Sequence, residues 1–292
     1  MVGVVGLRTG SIIGERGSGP GQLRTPAALA IDTEGRVFVA DRGNHRIQVF
    51  RADGLAAGSF GSEGSGPGQF RGPCGVALDR AGRLLVVDGG NRRVQVFSPD
   101  GIFLSSFGTP GCGEGQFKEP RGIAVEAACT PPSSSSSTEM SSGLIFVADW
   151  GNSRIQAFTA DGRFVRFIGC PPTCSGEDIL SASAAPVDGL LKSPYGVGTC
   201  LDGTVLVADT ANHRVQVFRP DGCWLRSFGA FGAESGQLKY PNAVAADASG
   251  RVVVSDNWNH RVQVISLWCL NNGVVAKFCF QCISVKECTS LS

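Results

Sequence analysis

Short apolar runs separated by glycine, aspartate and asparagine extend along most of the chain. Between residues 27 and 60 the runs read "AALAID", "RVFVAD", "HRIQVF" and "LAAGSF". Each is rich in residues that favour strands and is bounded by Gly, Asp or Asn, which favour turns. This pattern predicts four β-strands joined by tight turns.

The same pattern recurs along the chain. The stretch "ADRGNHRIQVF" at 40–50 returns in variant form at 87–97, 148–158, 208–218 and 255–265. Asp41 and Asp88 lie 47 positions apart, as do Asp209 and Asp256, whereas the intervals on either side of Asp149 are 61 and 60. A unit of about 40–50 residues with four strands is typical of a β-propeller blade.

We therefore expect an all-β protein, a β-propeller of four-stranded antiparallel blades in a single domain over residues 1–280. Five blades are expected, with an incomplete six-bladed ring as the alternative. The predicted repeats are about 19–65, 66–112, 113–174, 189–235 and 236–280.

The two ends of the chain and two insertions depart from the repeat, and a structure is predicted for each. Residues 7–14 match the last strand of a blade and are expected to close the ring, although "VVAKFCF" at 274–280 offers another fourth strand for the last repeat. Residues 281–292 form a tail. The Ser-rich insertion 130–142 is expected to be a flexible loop, and 170–189 to overhang the face that carries the Asn-x-Arg turns.

The triplets "NHR" at 44–46, 212–214 and 259–261, with "NRR" at 91–93 and "NSR" at 152–154, resemble those of the NHL-repeat family. The preceding "VAD" or "VVD" and the "GPGQF…P" lead-in segments match as well. The resemblance covers roughly residues 7–265. It implies a propeller, commonly of six blades, which in tripartite-motif ubiquitin ligases recruits substrates or binds single-stranded or stem-loop RNA.

The polar motif is interpreted as a structural turn that is built five times. Asp is expected to end the second strand, Asn to tolerate the tight-turn backbone, and Arg to pair with a neighbouring Asp. Equal spacing around a ring is poor geometry for one active site. The motif residues are Asp41, Asn44, Arg46, Asp88, Asn91, Arg93, Asp149, Asn152, Arg154, Asp209, Asn212, Arg214, Asp256, Asn259 and Arg261.

Composition narrows the possible functions. A net charge of +1 excludes a protein that is basic over its whole surface but leaves a local basic patch open. No run of about 18 apolar residues indicates a transmembrane helix, and the first residues lack a convincing secretory signal. The eleven cysteines are irregularly placed, which favours a reducing compartment, so we expect a cytoplasmic protein.

The sequence offers little catalytic chemistry. All three histidines, His45, His213 and His260, occupy one repeat position, which leaves none for a metal site or a general base. We expect no catalytic residues, metal or cofactor, and a metal-dependent lyase or hydrolase remains a second alternative. No RING-type array is visible, so ligase activity would belong to a missing domain or to a partner.

Two cysteine groups are candidate sites. Cys279, Cys282 and Cys288, with Cys269, contain one C-x2-C pair, and buried thiols on a strand are favoured there over zinc ligands. Cys170 and Cys174 would pair only in an oxidising compartment.

A candidate binding face follows from repeat positions. One basic residue follows the lead-in Leu or Phe of every repeat, and the positions after the proline and after the motif Asp vary between repeats. Together they predict a face that uses Arg24, Arg42, Arg71, Lys118, Arg121, Trp150, Lys192, Tyr195, Lys239, Asn242, Asn257 and Trp258. A rigid scaffold with such a face is expected to bind a protein partner. RNA is the alternative, because basic, aromatic and amide side chains also serve nucleic acids.

Overall fold

The computed structural model describes residues 12–126, 143–170, 186–266 and 280–283. Within these ranges the chain forms β-strands and single-turn 3-10 helices, and no α-helix. The predicted insertion 130–142, most of 170–189 and most of 7–14 lie outside the described residues.

Five four-stranded sheets follow one another along the chain, and in each sheet consecutive strands are neighbours. The first consists of Pro26–Ile31, Val37–Asp41, Arg46–Phe50 and Ala56–Phe60, and the second of Pro73–Leu78, Leu84–Asp88, Arg93–Phe97 and Phe103–Phe107. The third consists of Pro120–Val125, Ile145–Asp149, Arg154–Phe158 and Phe164–Ile168. The fourth consists of Val197–Thr199, Val205–Asp209, Arg214–Phe218 and Trp224–Phe228, and the fifth of Pro241–Ala246, Arg251–Asp256, Arg261–Ser266 and Phe280–Ile283.

These antiparallel sheets are the five blades of a β-propeller fold, so the predicted fold class is confirmed. The outer strand of the fifth blade is Phe280–Ile283, which pairs with Arg261–Ser266. This strand begins at the last residue of "VVAKFCF" and extends into the segment expected to be a tail. The repeat and domain boundaries stay predictions.

A 3-10 turn joins the second and third strands of every blade. These turns are Arg42–Asn44, Gly89–Asn91, Trp150–Asn152, Thr210–Asn212 and Asn257–Asn259. Short parallel ladders precede the first three blades: Glu15–Arg16 with Gln22–Leu23, Ser62–Glu63 with Gln69–Phe70, and Thr109–Pro110 with Gln116–Phe117.

The chain divides into two compact units. The first holds the described residues up to Gly111 together with Gly115–Ile123, and the second holds Cys112–Glu114 and the described residues from Ala124 onwards. In the first unit, facing sides of the first two blades bury residues such as Phe38, Ile47 and Val86. This burial between sheets is the main favourable term in assembling blades.

The second unit contains two comparable cores. One includes Phe146, Ile155 and Phe218, between the third and fourth blades. The other includes Leu206, Val215 and Val254, between the fourth and fifth. The second strand of the fourth blade contributes alternate residues to these two cores, Val205 and Val207 to one and Leu206 and Ala208 to the other.

Candidate functional site

The motif aspartate of each blade is fully buried and bonded by its own blade. In the fourth blade Asp209 accepts hydrogen bonds from the backbone N–H of Lys192 at 2.7 Å and from Asn212 Nδ2 at 2.9 Å. Arg214 Nε and Gln216 Nε2 donate to the same carboxylate at 2.9 Å each. The acceptor capacity of the carboxylate is thus used within the fold.

The motif arginine ties the lead-in segment to the blade. In the first blade Arg46 Nη1 donates to the carbonyl of Ser18 at 3.0 Å, and Nη2 donates to those of Gly19 and Gln22 at 2.8 and 2.7 Å. Its Nε lies 2.9 Å from Asp41 Oδ2. The guanidinium is therefore engaged by the protein itself.

In each turn the residue after the motif Asn has the left-handed backbone conformation. The sequence had suggested the Asn itself for this conformation. The left-handed residues have φ between 53° and 56°, and they are His45, Arg92, Ser153, His213 and His260. The difference arises because the 3-10 turn ends at the Asn, so the chain reverses one position later.

The side chain at this left-handed position can link one blade to the next. His45 Nδ1 accepts a hydrogen bond from the backbone N–H of Gly72 at 3.0 Å. In the second unit His213 Nδ1 accepts one from Tyr240 at 3.2 Å, and Ser153 Oγ accepts one from Ser193 at 3.2 Å. The histidines therefore act as acceptors, which requires the neutral imidazole.

A basic pocket of about 270 Å³ lies in the first unit. It is bounded by the turns of the first and second blades and by the lead-in of the third. Five basic and one acidic side chain line it, and we call Arg42, Arg71, Arg92, Lys118, Arg121 and Glu119 the basic pocket.

One of these charges is already paired, since Arg121 Nη2 lies 2.8 Å from Glu119 Oε2. Among the described residues, the guanidinium groups of Arg42, Arg71 and Arg92 have no ion-pair partner. Several cations close together raise the positive electrostatic potential of the pocket, so the pocket attracts anions.

Cys74 lies beneath this pocket. Its Sγ is 3.3 Å from the carbonyl oxygen of Pro120, and the residue is 3% exposed. Burial raises the pKa of the Cys74 thiol to about 11, although the charges of Arg121 and Arg42 act in the opposite direction. The thiol is thus protonated at neutral pH and acts as a small apolar group.

An aromatic patch occupies the corresponding region of the second unit. The ring centroids of Tyr240 and Trp258 are 4.6 Å apart, and His213 lies 4.4 Å from Tyr240 and 4.9 Å from Phe231. Lys239 Nζ lies 5.6 Å from the centroid of the Trp258 ring. We call these five residues the aromatic patch.

Much of the aromatic patch faces solvent. Trp258 is 58% exposed and Phe231 is 63% exposed. The backbone N–H of Trp258 donates to the carbonyl of Lys239 at 3.1 Å, which fixes the base of the indole. Contiguous exposed aromatic surface of this kind is typical of binding sites.

The structure distributes the predicted binding face over both units. Arg42, Arg71, Lys118 and Arg121 meet in the basic pocket, and Lys239 and Trp258 meet in the aromatic patch. The other predicted residues line neither feature. They are the exposed Arg24 and Asn257 and the partly buried Trp150, Lys192, Tyr195 and Asn242.

Arg92, His213, Phe231 and Tyr240 belong to these two features, although the sequence did not predict them as part of a binding face. Arg92 was visible as a basic residue at a position that carries His or Ser in the other repeats. Phe231 and Tyr240 gave no such signal, because only the packing of two successive blades brings them beside His213.

Two other kinds of feature, a membrane-spanning helix and a metal site, are absent from the described residues. No helix there has the length and apolarity needed to cross a bilayer. No three His, Cys, Asp or Glu side chains in these ranges converge in a way that would hold a metal ion.

Comparison with known families gives a specific match. The model of the NHL repeat matches residues 23–50, 70–97, 193–218 and 238–265. These segments correspond to the first, second, fourth and fifth repeats, and each runs from the lead-in segment into the third strand.

Several curated proteins share one such segment. Human "NHL repeat-containing protein 3" is 55% identical over 40 residues, which is 14% of this chain and 12% of that protein. "Protein lin-41" of Caenorhabditis elegans is 51% identical over 41 residues, covering 14% and 4%. Human "E3 ubiquitin-protein ligase TRIM32" is 49% identical over 43 residues, covering 15% and 7%. The aligned segments therefore span only a small part of these relatives.

Solved structures share the fold at low identity. A virginiamycin B lyase from Staphylococcus aureus aligns with a TM-score of 0.57 at 12% identity, covering 88% of this chain and 69% of that one. A chain of a nidogen/laminin complex aligns with a TM-score of 0.59 at 17% identity, covering 91% and 82%. At such identities the likeness establishes the fold alone.

Proposed function

Because the chain belongs to the NHL-repeat family, we propose that it is a non-catalytic binding platform that recruits a protein partner through the turn-bearing side of its blades. The observation that carries this proposal is the aromatic patch. The exposed ring of Trp258 packs on the partly buried ring of Tyr240 beside the cation of Lys239, and Trp and Tyr are among the residue types that dominate protein–protein hot spots.

Comparison between the repeats supports a role in binding for Trp258. The same turn position holds Gly43, Gly90, Gly151 and Ala211 in the other blades. Those blades fold with a minimal side chain at that position, so the fold does not need an indole there. A large exposed aromatic residue at a position that the fold leaves small is best explained by a ligand.

The engaged motif residues support a non-catalytic platform. Each motif Asp is buried, and each motif Arg binds carbonyls of its own lead-in segment or nearby backbone. These ten side chains hold the blades together and do not offer reactive groups to a substrate.

We extend the proposal to substrate recognition in a ubiquitin ligase pathway, in the cytoplasm. The support is the similarity of one repeat to the ligase TRIM32, which covers 7% of that protein. The expected signature is a partner whose ubiquitylation in cells falls when Trp258 is replaced by Ala. Unchanged ubiquitylation of every captured partner would contradict this extension.

The test is affinity capture from cell extract with the full chain and two matched tryptophan variants. Trp258→Ala removes the indole of the aromatic patch, and Trp224→Ala removes another partly exposed indole, which lies on an outer strand. We expect a set of proteins that is lost with Trp258→Ala and retained with Trp224→Ala. Identical sets for both variants would refute the proposal.

Single-stranded RNA is the second candidate. Lys239 lies beside the rings of Trp258 and Phe231, and single-strand binders combine cations with stacking platforms in this way. RNase treatment of the capture separates the two candidates. Proteins that stay bound after RNase support direct protein recognition, and loss of the whole Trp258-dependent set after RNase favours RNA.

A further inference from the structure

We propose that the basic pocket binds a phosphorylated side chain of the protein partner. This inference rests on the proposed binding function and assigns a second, chemically distinct contact to it. Its basis is the convergence of the five basic side chains in one cavity of the first unit.

Three of these five residues are departures from the repeat template. The lead-in basic residue is present in every blade, which accounts for Arg71 and Lys118. Arg42, Arg92 and Arg121 are each the only Lys or Arg at their repeat position. The other blades carry Gly89, Trp150, Thr210 and Asn257 at the first position, His45, Ser153, His213 and His260 at the second, and Ala27, Cys74, Tyr195 and Asn242 at the third.

All three departures face the same cavity, although they belong to three successive blades. A structural requirement of the turn would appear in every blade, so folding does not account for them. A shared ligand explains why the basic substitutions are concentrated where these blades meet.

Arg92 also lacks a structural hydrogen bond that other blades form at its repeat position. At its position His45 and His213 accept a hydrogen bond from the backbone of the following blade. A guanidinium has no acceptor atom and cannot replace them. The gain that offsets this loss is an exposed cation at the pocket.

The charge and the guanidinium donors of the pocket favour a phosphoryl group over a carboxylate. Arg121 is already paired with Glu119, and three guanidinium groups have no ion-pair partner among the described residues. A phosphate dianion offers three oxygens and nearly two charges to such donors, whereas a carboxylate offers one charge. Guanidinium forks also match phosphate oxygens in geometry.

The composition of the wall favours a phosphopeptide over RNA at this pocket. The described residues that line it are Arg, Lys, Gly, Pro and Glu, with no aromatic ring on which a base would stack. The pocket is also a local, half-open depression of about 270 Å³, which suits one phosphoryl group better than a continuous backbone.

The test measures binding of fluorescent peptide pools to the full chain by anisotropy. One pool has a central phosphoserine with randomised flanks, and two matched pools carry Ser or Glu instead. Arg42→Asn and Arg92→His place in the pocket the residues found at the same positions in other blades. Arg24→Gln removes an exposed charge at the lead-in position outside the pocket. Thermal unfolding of each variant verifies its fold.

We expect the phosphoserine pool to bind at least about tenfold more tightly than the Ser and Glu pools. Arg42→Asn and Arg92→His should each weaken that binding about tenfold, and Arg24→Gln should leave it within about twofold, since a lost charge-assisted bond corresponds to roughly a factor of ten or more.

Equal binding of the three pools would overturn the inference, as would equal losses in Arg24→Gln and Arg42→Asn. Displacement of the phosphopeptides by a short single-stranded RNA at lower concentration than by unlabelled phosphopeptide would also overturn it and assign the pocket to nucleic acid. These outcomes can be told apart from failure of the proposed function. If the peptide assays contradict the inference while capture still depends on Trp258, only the phosphate contact is refuted. If phosphopeptide binding is intact and capture does not depend on Trp258, the proposed role of the aromatic patch is refuted instead.

Discussion

At the scale of single residues, the polar motif is held by hydrogen bonds that leave almost nothing unsatisfied. Asp209 has no exposed surface and accepts hydrogen bonds from one backbone N–H and three side chains. A buried carboxylate is tolerable only with such compensation. Asp ends the second strand, Asn closes the 3-10 turn and Arg begins the third strand. The buried Gln two positions beyond Arg belongs to the same network, although the sequence did not assign it to the motif.

Replacing Asp209 by Ala should destabilise the protein by about 3–5 kcal/mol, because Arg214 and Gln216 would keep buried donors without their acceptor. Urea denaturation measures the change. Asp202→Ala is the matched control, since that exposed turn residue accepts one backbone hydrogen bond and should cost less than about 1 kcal/mol. Equal costs for the two variants would contradict the network.

His213 predicts a pH dependence of stability. Burial, together with the charge of Lys239, lowers the pKa of His213, although Asp209 acts in the opposite direction. The neutral ring also accepts the hydrogen bond from Tyr240. Because the folded-state pKa lies below the unfolded value of about 6.5, the stabilisation is complete above that pH and is lost as the pH falls below it towards the folded-state pKa.

The measurement is the difference in unfolding free energy between the wild type and His213→Ser at pH 7.5 and pH 5. Serine supplies an acceptor at the equivalent Ser153 and does not titrate. The wild type should lose stability relative to the variant at the lower pH. A difference that is the same at both pH values would show that His213 does not titrate on unfolding.

At the scale of elements, each blade is completed by its lead-in segment as much as by its four strands. In the second blade Arg93 Nη2 donates to the carbonyls of Gly66 and Gln69, and Gln95 Nε2 donates to that of Gln69. The third strand thus holds the segment that precedes its own blade. Short runs rich in strand-favouring residues predicted the strands. The shared lead-in template identified the segment but did not indicate which residues bind it.

Gly61, after the outer strand of the first blade, predicts a steric effect. A Cβ there would lie 2.4 Å from the ring of buried Phe70, and its φ is +93°. Gly61→Ala should therefore cost clearly more than the roughly 1 kcal/mol of backbone strain alone, because overpacking adds about 1–3 kcal/mol.

Gly68→Ala serves as the control for that measurement. Its φ of +72° is similarly positive, but no atom lies within 4 Å of its Cβ position. Chemical denaturation of both variants separates the backbone contribution from the contact with Phe70. Indistinguishable midpoints would show that Phe70 moves away at little cost.

At the scale of the whole molecule, near-neutral overall charge conceals strong local charge. The net charge is +1, whereas the basic pocket alone carries four positive charges in excess, from five basic side chains and one acidic. A near-neutral bulk composition is therefore compatible with a local basic pocket and could not locate it.

Stability should not depend on a divalent cation. The motif carboxylates accept hydrogen bonds from arginine, asparagine and backbone N–H groups, so their oxygens are satisfied within the fold without a metal ion. A metal ion bound to the native state would raise the melting temperature, and its removal would lower it. Dialysis against EDTA should therefore leave the melting temperature within about 1 °C of its original value. A clear fall in melting temperature, restored by Ca²⁺ or Zn²⁺, would contradict this and revive the metal-dependent alternative.

The sequence by itself determined the repeat, the four strands of each blade and the positions of the turns. These features depend on residues that are close together in the chain, on short runs of strand-favouring side chains and on the backbone preferences of Gly, Asp and Asn. Tertiary structure decided which variable positions meet. Arg42, Arg92 and Arg121 belong to three different blades, and only the packing of neighbouring blades brings their charges to one cavity. The same is true of His213, whose role as an acceptor depends on a backbone N–H supplied by the next blade.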